Sequence, residues 1–458
     1  MKAMFSGRVG LWILGVAALI SFVDSGWTVS PATGDLWIGW ASTEITPDRP
    51  VALVGQKHKR VSTKVRDPLT ATVLAIETKN EQGDMIDQAV MVSCDLIFIA
   101  GWTQTEIRKR LPTLAPDLDP NKVFLNATHT HTGPQQVAGS FRGLYDVSAD
   151  PDVMSATDYG DFLVDRLLGA ITEAWKHRTP GGISWGLGHA VVGHNRRAVY
   201  FDGTTQMYGK TNREDFDRVE GYEDHSLPLL FFWDRDGRMT GMVVNLTCPA
   251  QETESLSEVS ADFWHDIRKE FRNRHGGSLF LFPQCGSAGD ISPHLIYRRA
   301  AEDRMRERRG LDRRREIARR VVDGIDAILP YADSDKRFAV PFEHKVDWLD
   351  LPQLDPPNPP FYLTDDPCRT EVHLIRLGDI AIASNPFELY LDYGVRIQAR
   401  SPALLTLIVQ LSTMKLGYLP TEQAVQGGGY SAVQYLVGPE GGTVLVDKTV
   451  SGLKEMWE

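Results

Sequence analysis

The sequence predicts one large α/β domain built on a mixed sheet with interleaved helices. Two observations carry this reading: apolar runs of strand length recur along the whole chain, and stretches with helical spacing alternate with them. A third is composition. Hydrophobic residues make up 42% and charged residues 24% of the 458, enough for a large core without disulfide support.

Strand-like runs fall at 89–93, 123–125, 227–233, 239–246, 278–282, 372–377, 380–383 and 404–411. The run Asp234-Arg235-Asp236-Gly237 and the pair Gly378-Asp379 read as hairpin turns. Helical spacing is clear at 161–175 and 261–273. At 313–329 it places Ile317, Val321, Ile325 and Leu329 on one stripe. The proline-rich stretch 352–367 reads as an extended surface loop that does not divide the chain. No internal repeat is visible in the sequence.

The N-terminus reads as a targeting segment. Lys2 and Arg8 precede fifteen apolar residues, 9–23, shorter than the roughly 20 of a bilayer span. Residues 1–25 are expected to be a signal peptide or an anchor. Residues 34–458 are then expected to form one domain, exported to the periplasm, secreted or held at the membrane. The four cysteines are too few for a disulfide scaffold. A net charge of −11 argues against a nucleic-acid partner.

Chemically capable residues sit just after strand-like runs. His129 and His131 follow the run at 123–125, and an H-x-H pair on extended chain places both imidazoles on one side. They read as metal ligand and proton carrier, or as two polar loop histidines. Asp290 and Ser292 lie on the glycine-flanked loop after 278–282, as site residues or as an Asx-type turn. The loop has no G-x-S-x-G, so a nucleophile elbow is not supported. Glu388, after 380–383, is a hard oxygen ligand or a helix N-terminal carboxylate. Tyr418 and Tyr430 are site hydroxyls or packed aromatics.

Together these segments resemble the neutral, non-lysosomal ceramidases. The resemblance rests on THTHTGP at 128–134, Asn195-Arg196, GDISPH at 289–294 and PFEL at 386–389. It also includes Tyr418 with a second tyrosine, Tyr430, twelve residues on. The order agrees from about Trp37 to Tyr430. It implies a zinc amidase splitting the N-acyl amide of ceramide or a related lipid. His129, Glu388 and Tyr418 would hold Zn2+, His131 would be the general base, and Arg196 and Tyr430 would steady the oxyanion. Ser292 would line the site, a nucleophilic role being the lesser alternative because zinc activates water without one.

Two departures stand out. Where the family has a further histidine ligand, the strand at 239–246 leads into Cys248-Pro249-Ala250-Gln251. Cys248 is a substitute ligand, a buried thiol or a partner for Cys285; failing it, Gln251 and Glu252 are the nearest candidates. The family also carries a β-sandwich after its second tyrosine, which this chain, with 28 residues beyond Tyr430, is expected to lack. Eleven arginines against five acids at 298–320 read as a solvated helix face, or as a contact for anionic headgroups at a membrane surface. Rival readings are a hydrolase of another amide or ester, and a metal-binding or ligand-binding relative without catalysis. The oligomeric state is not legible.

Overall fold

The computed structural model describes residues 33–358 and 369–458. The segment 1–25, Cys368 and the second half of the proline-rich stretch lie outside the described residues.

Twelve strands form one branched mixed sheet. It is made of one topological unit used three times, a regularity the sequence does not display. Each unit runs long strand, hairpin, helix, parallel strand, helix. In the first, the strand Thr33–Glu44 leads to the hairpin Thr70–Lys79 and Met85–Cys94. The helix Gly101–Arg110, the strand Val123–Ala127 and the helix Ala156–Lys176 follow. The second unit contains Thr179–His189, Ser226–Asp234 with Met239–Leu246, Phe263–His275, Phe280–Cys285 and Arg313–Asp333. The third contains Ala339–Asp350, Arg369–Leu377 with Ile380–Ser384, Leu391–Arg400, Leu405–Val409 and Pro439–Glu455.

In each unit the first strand pairs antiparallel with the hairpin, whose second strand pairs parallel with the strand beyond the helix. The three long first strands join the units: on its edge opposite Thr70–Lys79, Thr33–Glu44 pairs with Ala339–Asp350 through Thr33–Asp35 and with Thr179–His189 through Trp37 and Ile38.

The expected strands and both hairpins are present, with end shifts of a few residues. The hairpin strands are buried on both faces, so they read as nearly continuous apolar runs. Alternate residues still face different neighbours. Val73 and Ala75 pack under the helices of the first unit, while Leu74 and Ile76 point inward. Leu229 and Phe231 face the helices of the second unit, and Leu230 and Phe232 point inward. The inward residues of all three units meet in one cluster that includes Met91, Phe124, Phe232, Phe282, Ile375 and Leu407.

Helix ends follow their caps. Ser155 accepts from Asp158 N and starts its helix at Ala156, five residues before the apolar spacing begins. Asp312 accepts from Arg315 N, and the stripe of Ile317, Val321 and Ile325 is buried below it. The first half of the proline-rich stretch, Gln353–Asn358, pairs with Tyr435–Val437. The arginine-rich stretch forms the helix Arg299–Arg308 and the start of Arg313–Asp333. Most of its arginines are engaged with acids, among them Arg314 with Asp67 and Asp266, Arg319 with Glu316, and Arg320 with Glu302 and Glu316. Among the described residues no helix is long and apolar enough to cross a membrane.

Candidate active site

Ligands of open α/β sheets sit beyond the carboxyl ends of strands, where backbone groups and loops are free. Here three parallel pairs end together. Ser93 Oγ donates to Pro283 O (2.6 Å), Asn245 Nδ2 to Ile408 O (2.8 Å) and Thr413 N to Leu125 O (2.9 Å), so the pairs are tied in a ring. The loops leaving these ends build a cleft of about 60 Å³.

The first unit contributes His129 and His131, whose rings meet edge to face with centroids 4.9 Å apart. His129 has φ 66°, a left-handed conformation uncommon for a residue with a side chain. Its Nδ1 lies 2.6 Å from the Ile97 carbonyl oxygen and so carries the proton. Its Nε2 faces Glu388 Oε2 at 3.5 Å. Glu388 comes from the third unit, paired in register with Tyr418. Burial pushes the Glu388 carboxyl up, but the His129 ring beside it, a hydrogen bond from Tyr418 and the Arg196 charge outweigh it and hold the group below the usual range.

Arg196 enters from the segment following the first strand of the second unit. Its Nη2 donates to Gly289 O (2.9 Å) and Tyr418 Oη (3.4 Å), and its Nη1 to Gln251 Oε1 (3.2 Å) and Tyr208 Oη (3.3 Å). Guanidinium only donates, so the Gln251 amide orientation is fixed. Its NH2 must then donate to His131 Nε2, 2.6 Å away. His131 is neutral: burial first, then the charges of His129, Arg196 and Arg60, hold its imidazole well below the ordinary value. Its Nδ1 stands 3.5 Å from Glu254 Oε2 without a hydrogen bond. Gly55, at φ +114°, backs the ring so closely that a Cβ there would lie 2.5 Å from His131 Cγ. Tyr430 stands edge-on to Tyr418 at 5.7 Å, with Lys57 Nζ 4.2 Å from its ring centre. Burial and the Glu388 charge push its phenol up to about 12. Phe98, Phe141 and Tyr145 form the apolar wall.

The structure thus brings together His129, His131, Arg196, Glu388, Tyr418 and Tyr430. It does not bring Cys248 into the cleft. That side chain is fully buried in the core of the second unit, its Sγ toward the Pro249 carbonyl, and burial pushes the thiol well up. It is also not bonded to Cys285; both thiols are free. Gln251, three residues on, is the residue of this segment that reaches His131 and Arg196, because the chain turns between them: Gln251 N donates to Pro249 O. Ser292 is fully buried behind Arg196. Its Oγ accepts from His294 N (3.0 Å), the hydroxyl turn weighed from sequence, and from Tyr208 Oη (3.1 Å). Asp290 holds Asn195 Nδ2 and Leu391 N.

Glu254 and Tyr208 were missed by sequence reading, as were the Gly55 contact and the Ile97 carbonyl. Glu254 lies in the polar run after the strand Met239–Leu246 and obeys the same after-strand rule; nothing in the sequence marks Gly55. Among the described residues, one group of histidine and acidic side chains is close enough to share an ion as a threesome, His194, Glu223 and His225, and it lies outside the cleft.

No protein-family profile and no curated protein matches the sequence. Solved structures do. The neutral ceramidase from Pseudomonas aeruginosa superposes with a TM-score of 0.71 over 92% of this chain and 75% of that one, at 17% identity. A ceramidase complexed with C2 gives 0.68 over 91% and 74%, at 16%. With three units, twelve strands and a cleft at their carboxyl ends, the chain has a neutral-ceramidase-like fold.

Proposed function

We infer that the chain is an exported zinc-dependent amidohydrolase, its catalytic unit spanning 34–458, that cleaves the N-acyl amide of ceramide or a related lipid. The observation that carries this is the convergence of His129, Glu388 and Tyr418 with Arg196, His131 and Tyr430 at one cleft. The neighbours in fold, one titled a neutral ceramidase, support the substrate class.

The donor set fits zinc. His129 has its Nδ1 proton engaged by a carbonyl, which leaves Nε2 as the ligand nitrogen. An imidazole, a carboxylate and a phenol give three N/O donors, the number a catalytic zinc takes from protein. Bound there, zinc would polarise the amide carbonyl and acidify a water. Arg196 and Tyr430 would meet the developing oxyanion. His131 would take the water proton at Nε2 and return it to the leaving amine nitrogen. Gln251 covers that lone pair in the resting arrangement and must swing aside first. Glu254, on the opposite side of the ring, then faces the imidazolium and balances its charge.

The test is metal analysis beside turnover of an N-acyl sphingoid base. His131→Ala should lower turnover by about 10² to 10⁴ with metal retained. Glu388→Gln should lose both. Equal metal loss in the two variants would make His131 a ligand instead. A second reading, a hydrolase of a smaller amide or ester, is favoured by the size of the cleft: about 60 Å³ is well under the roughly 300–1,000 Å³ common for ligand pockets. Turnover of short N-acyl substrates with none of long-chain ceramide would select it.

A further inference from the structure

Ligand-type side chains meet at a second place, clear of the cleft. His194 lies on the short strand His194–Asn195 and is 5% exposed at its side chain. Glu223 and His225 come from the segment before Ser226–Asp234 and are 17% and 30% exposed. One carboxylate oxygen, Glu223 Oε2, is the focus of both rings: it lies 3.2 Å from His194 Nδ1 and 3.2 Å from His225 Nε2. All three donor atoms lie within 4.8 Å of one another. Ligands about 2.0–2.1 Å from a tetrahedral zinc stand about 3.4 Å apart, so two of the three edges already have ligand spacing. Asp224, between the two loop donors, is turned away; it accepts from Thr247 Oγ1 at 3.2 Å and from Ser226 N at 2.9 Å.

We propose that His194, Glu223 and His225 form a second divalent-metal site, of the zinc, cobalt and nickel class, that fastens the 220–225 segment beside Arg196. Two imidazoles and one carboxylate are a zinc donor set, and the partial exposure leaves room for a solvent ligand in the fourth position. The placement gives the site a task. His194 is two residues before Arg196, and its strand pairs with Ile291–Ser292. The near end of the loop is already fixed by the ion pair of Arg197 with Glu220. A metal at the far end closes a second clamp on the segment that presents Arg196 to the cleft. Binding to the folded state alone also raises stability.

The probe is cobalt(II), titrated into chelator-stripped protein. His225→Ala and, separately, Glu223→Gln should each bind one equivalent less than the native chain. Each should also lose one set of visible ligand-field bands and show a smaller rise in Tm on adding cobalt. In a His129→Ala, Glu388→Gln background the remaining equivalent should persist and disappear on adding His225→Ala, which separates this site from the cleft. Equal cobalt uptake by the native chain and both single variants, with unchanged spectra, overturns the proposal.

Discussion

Gln251 holds His131 by its Nε2 lone pair, and that contact sets when the imidazole takes a proton. A donor to the lone pair favours the neutral ring, as do burial and the neighbouring cationic groups. Activity that needs neutral His131 is lost as pH falls through the folded value, so the acidic limb of kcat/KM should lie well below 6.5. Gln251→Ala removes the donor, raises the ring's pKa and should move that limb to higher pH; a limb that stays or falls means Gln251 does not hold the ring. Gly55 acts on the same ring through space. Gly55→Ala places a methyl 2.5 Å from His131 Cγ in a left-handed backbone conformation. It should cost about 1–3 kcal/mol of stability and reduce turnover on the order of 10²-fold. A His131→Ala background removes the two nearest ring atoms but keeps Cβ, 2.8 Å from the methyl, so urea titration should show only part of the steric cost relieved.

A buried ionic contact ties the first helix to the third unit. Arg108, on Gly101–Arg110, forks onto Glu371 of Arg369–Leu377, and His373 Nε2 adds a contact of 2.7 Å. Burial pushes Glu371 up, but the Arg108 and His373 hydrogen bonds win and bring it to about 2. A depressed carboxyl adds stability above its unfolded value near 4.5, and this is lost as pH falls through 2. The depression is about 3 kcal/mol in magnitude. Glu371→Gln should therefore destabilise the chain at neutral pH, and its difference from the native chain should shrink as pH falls from 4.5 toward 2 in denaturant titrations. The arginine-rich helices obey similar pairing: Arg319 and Arg320 meet Glu316 on their own helix, while buried Arg314 reaches Asp67 and Asp266 on other elements.

At the scale of the molecule, three units share the cluster formed by Phe124, Phe232, Phe282, Ile375 and Leu407. Each unit has its own helix-covered layer, yet the inner faces bury only against one another. Phe232→Ala should cost about 3–5 kcal/mol. Because the cavity opens where all units meet, near- and far-ultraviolet circular dichroism should report one coincident unfolding transition. Separate transitions would mean that the units fold independently.

The sequence by itself determined the class of fold, eight of the sheet's twelve strands, two of the three unit hairpins and three amphipathic helices, because these depend on local periodicity and turn chemistry. It also marked His129, His131, Glu388 and Tyr418, which follow apolar runs, and Tyr430 after three glycines, while Arg196 came only with the family resemblance. Only the tertiary structure decided that the topology repeats three times, because the repeat lies in pairing and not in residue identity. It decided equally that Cys248 faces the core while Gln251 faces His131: the turn at Pro249 sets which side chain points where. Gly55, Ile97 and Glu254 reach the histidines from loops of two units, and His194 meets Glu223 and His225 across 29 and 31 positions. Such contacts are fixed by how folded layers close on one another, which no local pattern encodes.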